Sequence, residues 1–119
     1  MAETERVICS SSELIDSGAG VRFEVDYLGE KSPAFAVRYD GTVRAFLNRC
    51  PHAPAELDWI PGQFFDTEGL LLVCSNHGAA FLPDSGMCVG GPCMGRGLVA
   101  LLVAEREGNV IAKDFTHGG

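Results

Sequence analysis

The first half of the chain alternates apolar and polar residues with a period of two. The clearest run places apolar side chains at Val21, Phe23, Val25 and Tyr27, with charged residues between them. Such alternation is typical of a strand with one buried face. The next runs predict strands from Phe35 to Tyr39 and from Val43 to Leu47, and Asp40-Gly41 predicts a tight hairpin between them.

The rest of the pattern also predicts strands rather than helices. A short strand is predicted at residues 6–9, one helical turn at 11–15, and a last hairpin of 98–107 with 109–113 joined at Gly108. The apolar run Leu70 to Val73 predicts a strand that is buried on both faces. The predicted fold class is therefore all-β, with small antiparallel sheets arranged as a sandwich or a barrel.

Two short runs combine a cysteine with a histidine. The first is Cys50-Pro51-His52, and the second is Cys74-Ser75-Asn76-His77. Thiolate and imidazole are ligands of zinc and of iron–sulfur clusters. The residues between the two runs are too many for a single turn, so each run is predicted to lie at the tip of its own hairpin, with the two loops facing each other across one metal site.

The distribution of the four ligands favours a cluster over zinc. A zinc finger pairs Cys with Cys and His with His. In this chain each run has one Cys and one His. That mixed arrangement suits a two-iron cluster that has its thiolates on one iron and its imidazoles on the other, because each loop then holds both irons. Zinc, or ordinary buried side chains, remain the alternatives.

These residues resemble the Rieske family, whose pattern is C-x-H followed by C-x-x-H-G and an aromatic residue. Gly78 and Phe81 complete the second half, and the segment from Asp84 to Pro92 resembles the glycine- and proline-rich loop that covers the cluster. The gap between the motifs is longer than is usual in the family, which predicts an enlarged loop from Trp59 to Glu68. The resemblance implies a single Rieske domain over residues 1–119, with a cluster-binding subdomain of about 48–95 on a base.

The resemblance also implies one [2Fe-2S] cluster per chain, with Cys50 and Cys74 on one iron and His52 and His77 on the other. High-potential members of the family have an extra disulfide, a Ser and a Tyr around the cluster. This chain has none of them at the matching positions, which are Ala55, Asn76, Ala79 and Phe81. We therefore expect a potential near the bottom of the range of about −150 to +300 mV that Rieske centres span.

Cysteine usage and the N-terminus bear on the compartment. The chain has five cysteines, and no apolar run has the length of a signal or membrane segment. We expect a soluble, cytoplasmic protein that does not associate with membranes. Since disulfides are rare there, Cys88 and Cys93, which flank the covering loop, are expected to be free thiols.

The net charge of the chain indicates which classes of partner it can bind. The net charge of −7 argues against nucleic acid, which attracts basic surfaces. Acidic side chains in or beside the ligand loops either steer the protein towards basic partners or are simply solvated. These residues are Glu56, Asp58, Asp66, Glu68 and Asp84.

The resemblance implies a function as well as a cofactor. The expected protein is a monomeric ferredoxin, which is an electron carrier rather than an enzyme, and it passes single electrons from a flavin-dependent reductase to a terminal oxygenase. One alternative is a cluster-bearing accessory subunit of a larger oxidoreductase of the nitrite-reductase type. The other is a zinc-binding module.

Overall fold

The computed structural model describes residues 5–27, 29–50, 56–58, 60–74, 78–91 and 96–113. The strands are β1 (Glu5–Ser10), β2 (Val21–Tyr27), β3 (Glu30–Tyr39), β4 (Thr42–Leu47), β5 (Leu72–Val73), β6 (Ala80–Phe81), β7 (Cys88–Gly90), β8 (Ala100–Leu101), β9 (Val103–Arg106) and β10 (Asn109–Lys113). They form three open antiparallel sheets in the orders β1-β10-β9, β2-β3-β4-β8 and β5-β6-β7. The predicted all-β class is confirmed, and the strands in the described ranges close no barrel.

The β2-β3-β4-β8 sheet lies between two hydrophobic clusters. On β4, Ala45 and Leu47 point into one cluster and Phe46 points into the other. We call these the base cluster, which includes Val25 and Val110, and the loop cluster, which includes Phe35 and Phe46. Because successive side chains of a strand face opposite sides, a sheet that is covered on both faces needs continuous apolar runs. The run Ala34–Val37 in β3 meets this need.

The β3–β4 hairpin has the turn that its sequence predicts. Asp40 and Gly41 both have positive φ, 52° and 81°, and Tyr39 pairs with Thr42 across the turn. A two-residue turn with positive φ at both positions matches the twist of the flanking strands. The Asp16 carboxylate accepts a hydrogen bond of 3.0 Å from the Gly41 amide, which fixes the turn against the preceding loop.

The prediction of a buried strand over Leu70–Val73 is wrong at its first half. Only Leu72 and Val73 are in a strand, and Leu70 is 54% exposed. The reason is a turn ending at Gly69, whose amide donates to the Asp66 carbonyl, while the Asp66 carboxylate accepts from the Leu70 amide at 2.9 Å. A local side-chain acceptor competes here with the sheet for the backbone donors.

The predicted last hairpin is divided between two sheets. β8 pairs with β4 in the central sheet, whereas β9 pairs with β10 in the base. Leu102 separates them and is 52% exposed. Leu101 and Val103 point into the same base cluster from different sheets, so the chain crosses from one layer of a sandwich to the other at Leu102.

Helical structure is limited to one turn within the described ranges. The predicted turn is a 3-10 helix over Ser11–Glu13, capped by the Glu13 carboxylate, which accepts from the Ser10 amide at 2.8 Å. No helix of this part of the chain is long and apolar enough to cross a membrane.

Candidate metal centre

The second ligand run is flanked by the paired strands β5 and β6, while its residues 75–77 lie outside the described residues. β5 leads directly into Cys74, whose amide donates to the Ala79 carbonyl at 2.8 Å. The Gly78 amide donates back to the Cys74 carbonyl at 3.0 Å, and Gly78 has a φ of 70°. Backbone hydrogen bonds therefore close this loop at its base, and glycine supplies the left-handed conformation that the closure requires.

Among the described residues, no strand directly after the first ligand run pairs with β4; Pro51 and His52 lie outside the described residues, so the hairpin predicted for this run stays a prediction. β4 ends three residues before Cys50, and its sheet neighbours are β3 and β8 rather than β5. Among the described residues after Cys50, the next bridge is an isolated one between Phe65 and Leu72. In the described part of this loop, the contacts that join its two sides are made by side chains.

The side chains that close the first loop are Asn48 and Asp58. The Asn48 amide nitrogen donates to Asp58 Oδ1 at 2.9 Å, and Asn48 Oδ1 accepts from the Leu57 backbone amide at 2.8 Å. Asp58 Oδ2 accepts from the Gly62 amide at 2.9 Å and lies 3.5 Å from Arg22 Nε. The Asp58 side chain is completely buried. The suggestion that Asp58 steers partners from the surface is therefore wrong.

Sequence reasoning missed Asn48 altogether and assigned Asp58 to solvent. Asn48 follows the last β4 residue and lies two positions before Cys50, where a polar residue gives no sign of burial. The pair is separated by ten positions and meets only when the loop closes. Polar residues on both sides of a ligand run are common in loops. Their role in closing the loop becomes visible only once the structure shows that both are buried.

The enlarged loop that was predicted between the motifs packs against the core instead of projecting. Phe64 stacks on Phe35 with ring centroids 3.9 Å apart, and the Val73 amide donates to the Phe64 carbonyl at 2.8 Å. Trp59 lies outside the described residues. The segment between the motifs therefore fixes the second ligand loop, through β5, to the face of the central sheet.

The two predicted sulfur ligands share one buried environment. Cys50 and Cys74 are 2% and 0% exposed, and both belong to the loop cluster with Leu57, Leu72 and Phe81. Both are thiols rather than halves of a disulfide. His52 and His77 lie outside the described residues, so their predicted role stays a prediction. Buried thiols at the ends of two converging loops fit thiolate ligands of an iron–sulfur cluster.

The covering loop approaches the second ligand loop closely. At Gly91, with φ of 84°, an added Cβ would lie 2.8 Å from Ala79 Cα and 3.1 Å from the Gly78 carbonyl oxygen. Cys88, at the start of β7, is disulfide-bonded, so the expectation of free thiols is wrong for this residue. That expectation rested on the predicted cellular compartment alone, which says nothing about whether the local backbone allows a disulfide. Cys93 is outside the described residues.

The residues beside the second ligand loop have no hydroxyl group at the two positions where high-potential members of the family have a Ser and a Tyr. Ala79 and Phe81 are both completely buried, and their side chains have no hydrogen-bond donor. Among the acidic residues, Glu56 is exposed and paired with Arg22 at 2.8 Å, whereas Glu68 and Asp84 are exposed loop carboxylates.

A comparison with protein families decides the identity of this arrangement. The model of the Rieske [2Fe-2S] domain matches residues 4–112. The chain belongs to the Rieske [2Fe-2S] domain family. Its cofactor is accordingly a [2Fe-2S] cluster. The recognition made from the motifs is confirmed.

Solved structures show the same Rieske fold. The ferredoxin of carbazole 1,9a-dioxygenase from Nocardioides aromaticivorans IC177 is 23% identical, with a TM-score of 0.70 over 92% of this chain and 96% of that one. A chain from a complex of reduced oxygenase and oxidized ferredoxin in carbazole 1,9a-dioxygenase is 23% identical, with a TM-score of 0.71 over 93% and 94%.

The same fold also occurs as part of larger chains. The terminal oxygenase from Nocardioides aromaticivorans IC177 is 22% identical, with a TM-score of 0.69, and the match covers 91% of this chain but 29% of that one. A search of curated proteins found no match.

Proposed function

We propose that this chain is a Rieske-type ferredoxin, a soluble cytoplasmic monomer that carries single electrons from a flavin-dependent reductase to a terminal oxygenase and catalyses no reaction itself. The observation that carries the proposal is the burial of the Cys50 and Cys74 thiols in one apolar cluster, within a chain that the Rieske family model matches from residue 4 to 112. The proposed partner is supported by the named complex of a similarly folded ferredoxin with its oxygenase.

The proposed ligands are Cys50 and Cys74 on one iron and His52 and His77 on the other. The cluster supplies one-electron redox chemistry, and neutral imidazoles in place of two thiolates raise its potential above that of all-cysteine centres. The chain's own contribution is to exclude water from the sulfur side, since both thiols are almost inaccessible. It also holds the two loops at fixed positions.

The residues around the second loop support a low potential within the Rieske range. Ala79 and Phe81 are buried and offer no hydroxyl to the cluster or its thiolates, so the extra negative charge of the reduced state gains no hydrogen bond from them. We expect a midpoint reduction potential of about −150 mV. A redox titration with a clearly positive midpoint contradicts this assignment.

Substitution of single ligands tests the metal site. Anaerobically reduced protein is expected to show the electron paramagnetic resonance signal of a mixed-valence iron pair. Cys50→Ala, His52→Ala, Cys74→Ala and His77→Ala should each abolish that signal. The matched control is Cys9→Ala, because Cys9 is a buried thiol that lies in the base cluster instead. A native signal in any of the four ligand variants contradicts the ligand assignment.

Reconstituted electron transfer tests the carrier role. The purified protein, mixed with a flavin-dependent reductase and a Rieske-type terminal oxygenase, should be reduced by the first and reoxidised by the second. It should also elute as a red-brown monomer. Purification only together with a large partner favours the accessory-subunit alternative, and a colourless, zinc-containing protein favours the zinc module.

A further inference from the structure

A buried pair of polar side chains, Asn48 and Asp58, stands at the base of the first ligand loop. We propose that these two are positioning residues that fix the Cys50 loop and so determine how firmly the cluster is retained. The inference rests on the proposed ligand assignment, and it concerns retention of the cluster rather than the choice of redox partner.

The geometry shows a closed bridge across the loop. Asn48 lies two positions before Cys50, and its side chain holds the far side of the loop through the Leu57 amide at 2.8 Å and Asp58 Oδ1 at 2.9 Å. Asp58 extends the bridge to the Gly62 amide at 2.9 Å. The described residues on the two sides of the first ligand run are therefore joined by these hydrogen bonds, which we call the gate.

The gate is attached to the central sheet at both ends. The Asn48 backbone amide donates to the Pro33 carbonyl of β3 at 2.8 Å, and the Gly62 carbonyl accepts from the Gly20 amide, just before β2, at 2.7 Å. Arg22 of β2 places its Nε 3.5 Å from Asp58 Oδ2. The position of the loop is thus set by β2 and β3 of the central sheet.

Burial argues for a specific role rather than general stability. Asn48 is 1% exposed and the Asp58 side chain is fully buried. An apolar pair would avoid the cost of desolvating a carboxylate, and a buried charge is weak evidence for stability. Directed hydrogen bonds instead restrict the loop to one conformation. Backbone pairing between strands would otherwise supply that restriction.

Asp58→Asn changes the hydrogen-bonding atoms of the side chain while keeping its size. Both carboxylate oxygens act as acceptors, towards Asn48 and towards Gly62. An amide has one acceptor and one donor, so a donor then faces a donor on one side. Loss of a group that orients a ligand typically costs about 10- to 100-fold in metal affinity. We expect iron release to a chelator to be about 10- to 100-fold faster in this variant.

The exchanged pair, Asn48→Asp with Asp58→Asn, supplies the conservative rescue. Asp at position 48 accepts from the Leu57 amide and from the new amide at position 58, whose oxygen accepts from Gly62 and faces Arg22. Every hydrogen bond of the gate is restored with one direction reversed. The single Asn48→Asp change, in contrast, opposes two buried carboxylates. The double variant should regain slow iron release.

The experiment measures how fast a chelator bleaches the visible absorbance of the wild-type protein, the two single variants and the exchanged pair. The reduction potential and the paramagnetic signal of each protein are measured as well. Glu105→Gln is the matched control, since it breaks an ion pair in the base instead. Fast release in both single variants, altered signals and recovery in the exchanged pair support the proposal. Wild-type release in the single variants, or no recovery in the exchanged pair, overturns it.

A milder variant covers the case in which the single changes prevent folding. Arg22→Gln alters a half-exposed contact to Asp58 and should accelerate iron release to a smaller extent, by about 2- to 10-fold on the same scale. An unchanged rate also overturns the proposal. Failure of the ferredoxin role is read separately, since it appears as absent electron transfer in wild-type protein whose cluster is retained normally.

Discussion

The two ligand loops are closed at their bases by different means. Around Cys74 the closure is made by backbone groups, with hydrogen bonds between Cys74, Gly78 and Ala79. Around Cys50 it is made by the side chains of Asn48 and Asp58. A short hairpin brings its own donors and acceptors into register, whereas a long loop without a strand partner needs side chains to satisfy buried amides.

This difference determines which substitutions each loop resists. The second loop should tolerate changes of side-chain polarity but not the loss of a glycine at a close backbone approach. The first should respond to single changes of hydrogen-bonding atoms at Asn48 or Asp58. The base, which lies across the central sheet, should affect stability alone.

Gly91→Ala is expected to have the largest effect. Its Cβ would meet backbone atoms of Ala79 at 2.8 Å, and its φ of 84° strains any residue with a side chain. Strain of this kind and overpacking each cost about 1–3 kcal/mol, so we expect a loss of about 3 kcal/mol or more in the free energy of unfolding. The covering loop should also separate from the second ligand loop, with faster loss of the cluster. Denaturant unfolding and visible absorbance measure both effects.

Gly90→Ala is the matched control for that change. Its Cβ would have only the Ala80 Cβ as a neighbour, at 3.8 Å, and its φ is not positive. Stability within about 1 kcal/mol of the wild type is expected. If the two variants lose stability equally, close approach of the covering loop is not what makes Gly91 necessary.

The sequence predicted the regular part of this structure well and the loop closures poorly. The strands β2, β3 and β4 and the Asp40-Gly41 turn follow from local signals and are confirmed, although β3 is buried on both faces rather than one. The burial of Asp58 and the crossing between sheets at Leu102 depend on contacts between distant segments, which no local pattern encodes. Leu70 shows the same limit, because one carboxylate at Asp66 overrides an apolar run.

Glu105→Gln tests whether the base is independent of the loops. Arg38 donates to both Glu105 oxygens, at 2.6 and 3.0 Å, and also to the Leu14 and Ser11 carbonyls. The ion pair is partly exposed, so its loss should cost about 1–2 kcal/mol. Chemical denaturation measures this cost. The rate of iron release and the reduction potential should not change, and a shift in either contradicts the separation of base and loops.

The same ion pair has a pH signature. Hydrogen bonds from Arg38, then from Ser11, lower the pKa of Glu105 below its ordinary value of 4.5. A carboxyl with a lowered folded-state pKa adds stability that is complete above its unfolded-state pKa and disappears as pH falls through the folded-state pKa. Wild-type protein should therefore lose its advantage over Glu105→Gln below about pH 4.5. A difference that is constant from pH 7 to pH 3 contradicts this origin.

Asp66→Ala addresses the segment between the two ligand loops. The Asp66 carboxylate accepts from the Leu70 amide at 2.9 Å and lies 3.4 Å from the Leu71 nitrogen. Because water replaces part of this interaction at an exposed turn, the expected loss is about 1 kcal/mol. Glu68→Ala, in the same exposed turn, is the control and should be neutral. Thermal unfolding measures both, and a larger loss in the control contradicts a specific role for Asp66.

Gly78→Ala should have the smallest effect, although it lies next to a predicted ligand. Its φ is 70°, yet no atom lies within 4 Å of the position that a Cβ would occupy. Only the conformational cost of a side chain in the left-handed region remains, about 1 kcal/mol. Since the backbone bonds of Cys74 to Gly78 and Ala79 need no side chain, the hairpin should keep its geometry and the cluster its absorbance. A loss as large as that of Gly91→Ala would show that the second loop depends on Gly78 for more than its backbone conformation, and it would remove the contrast between the two loops.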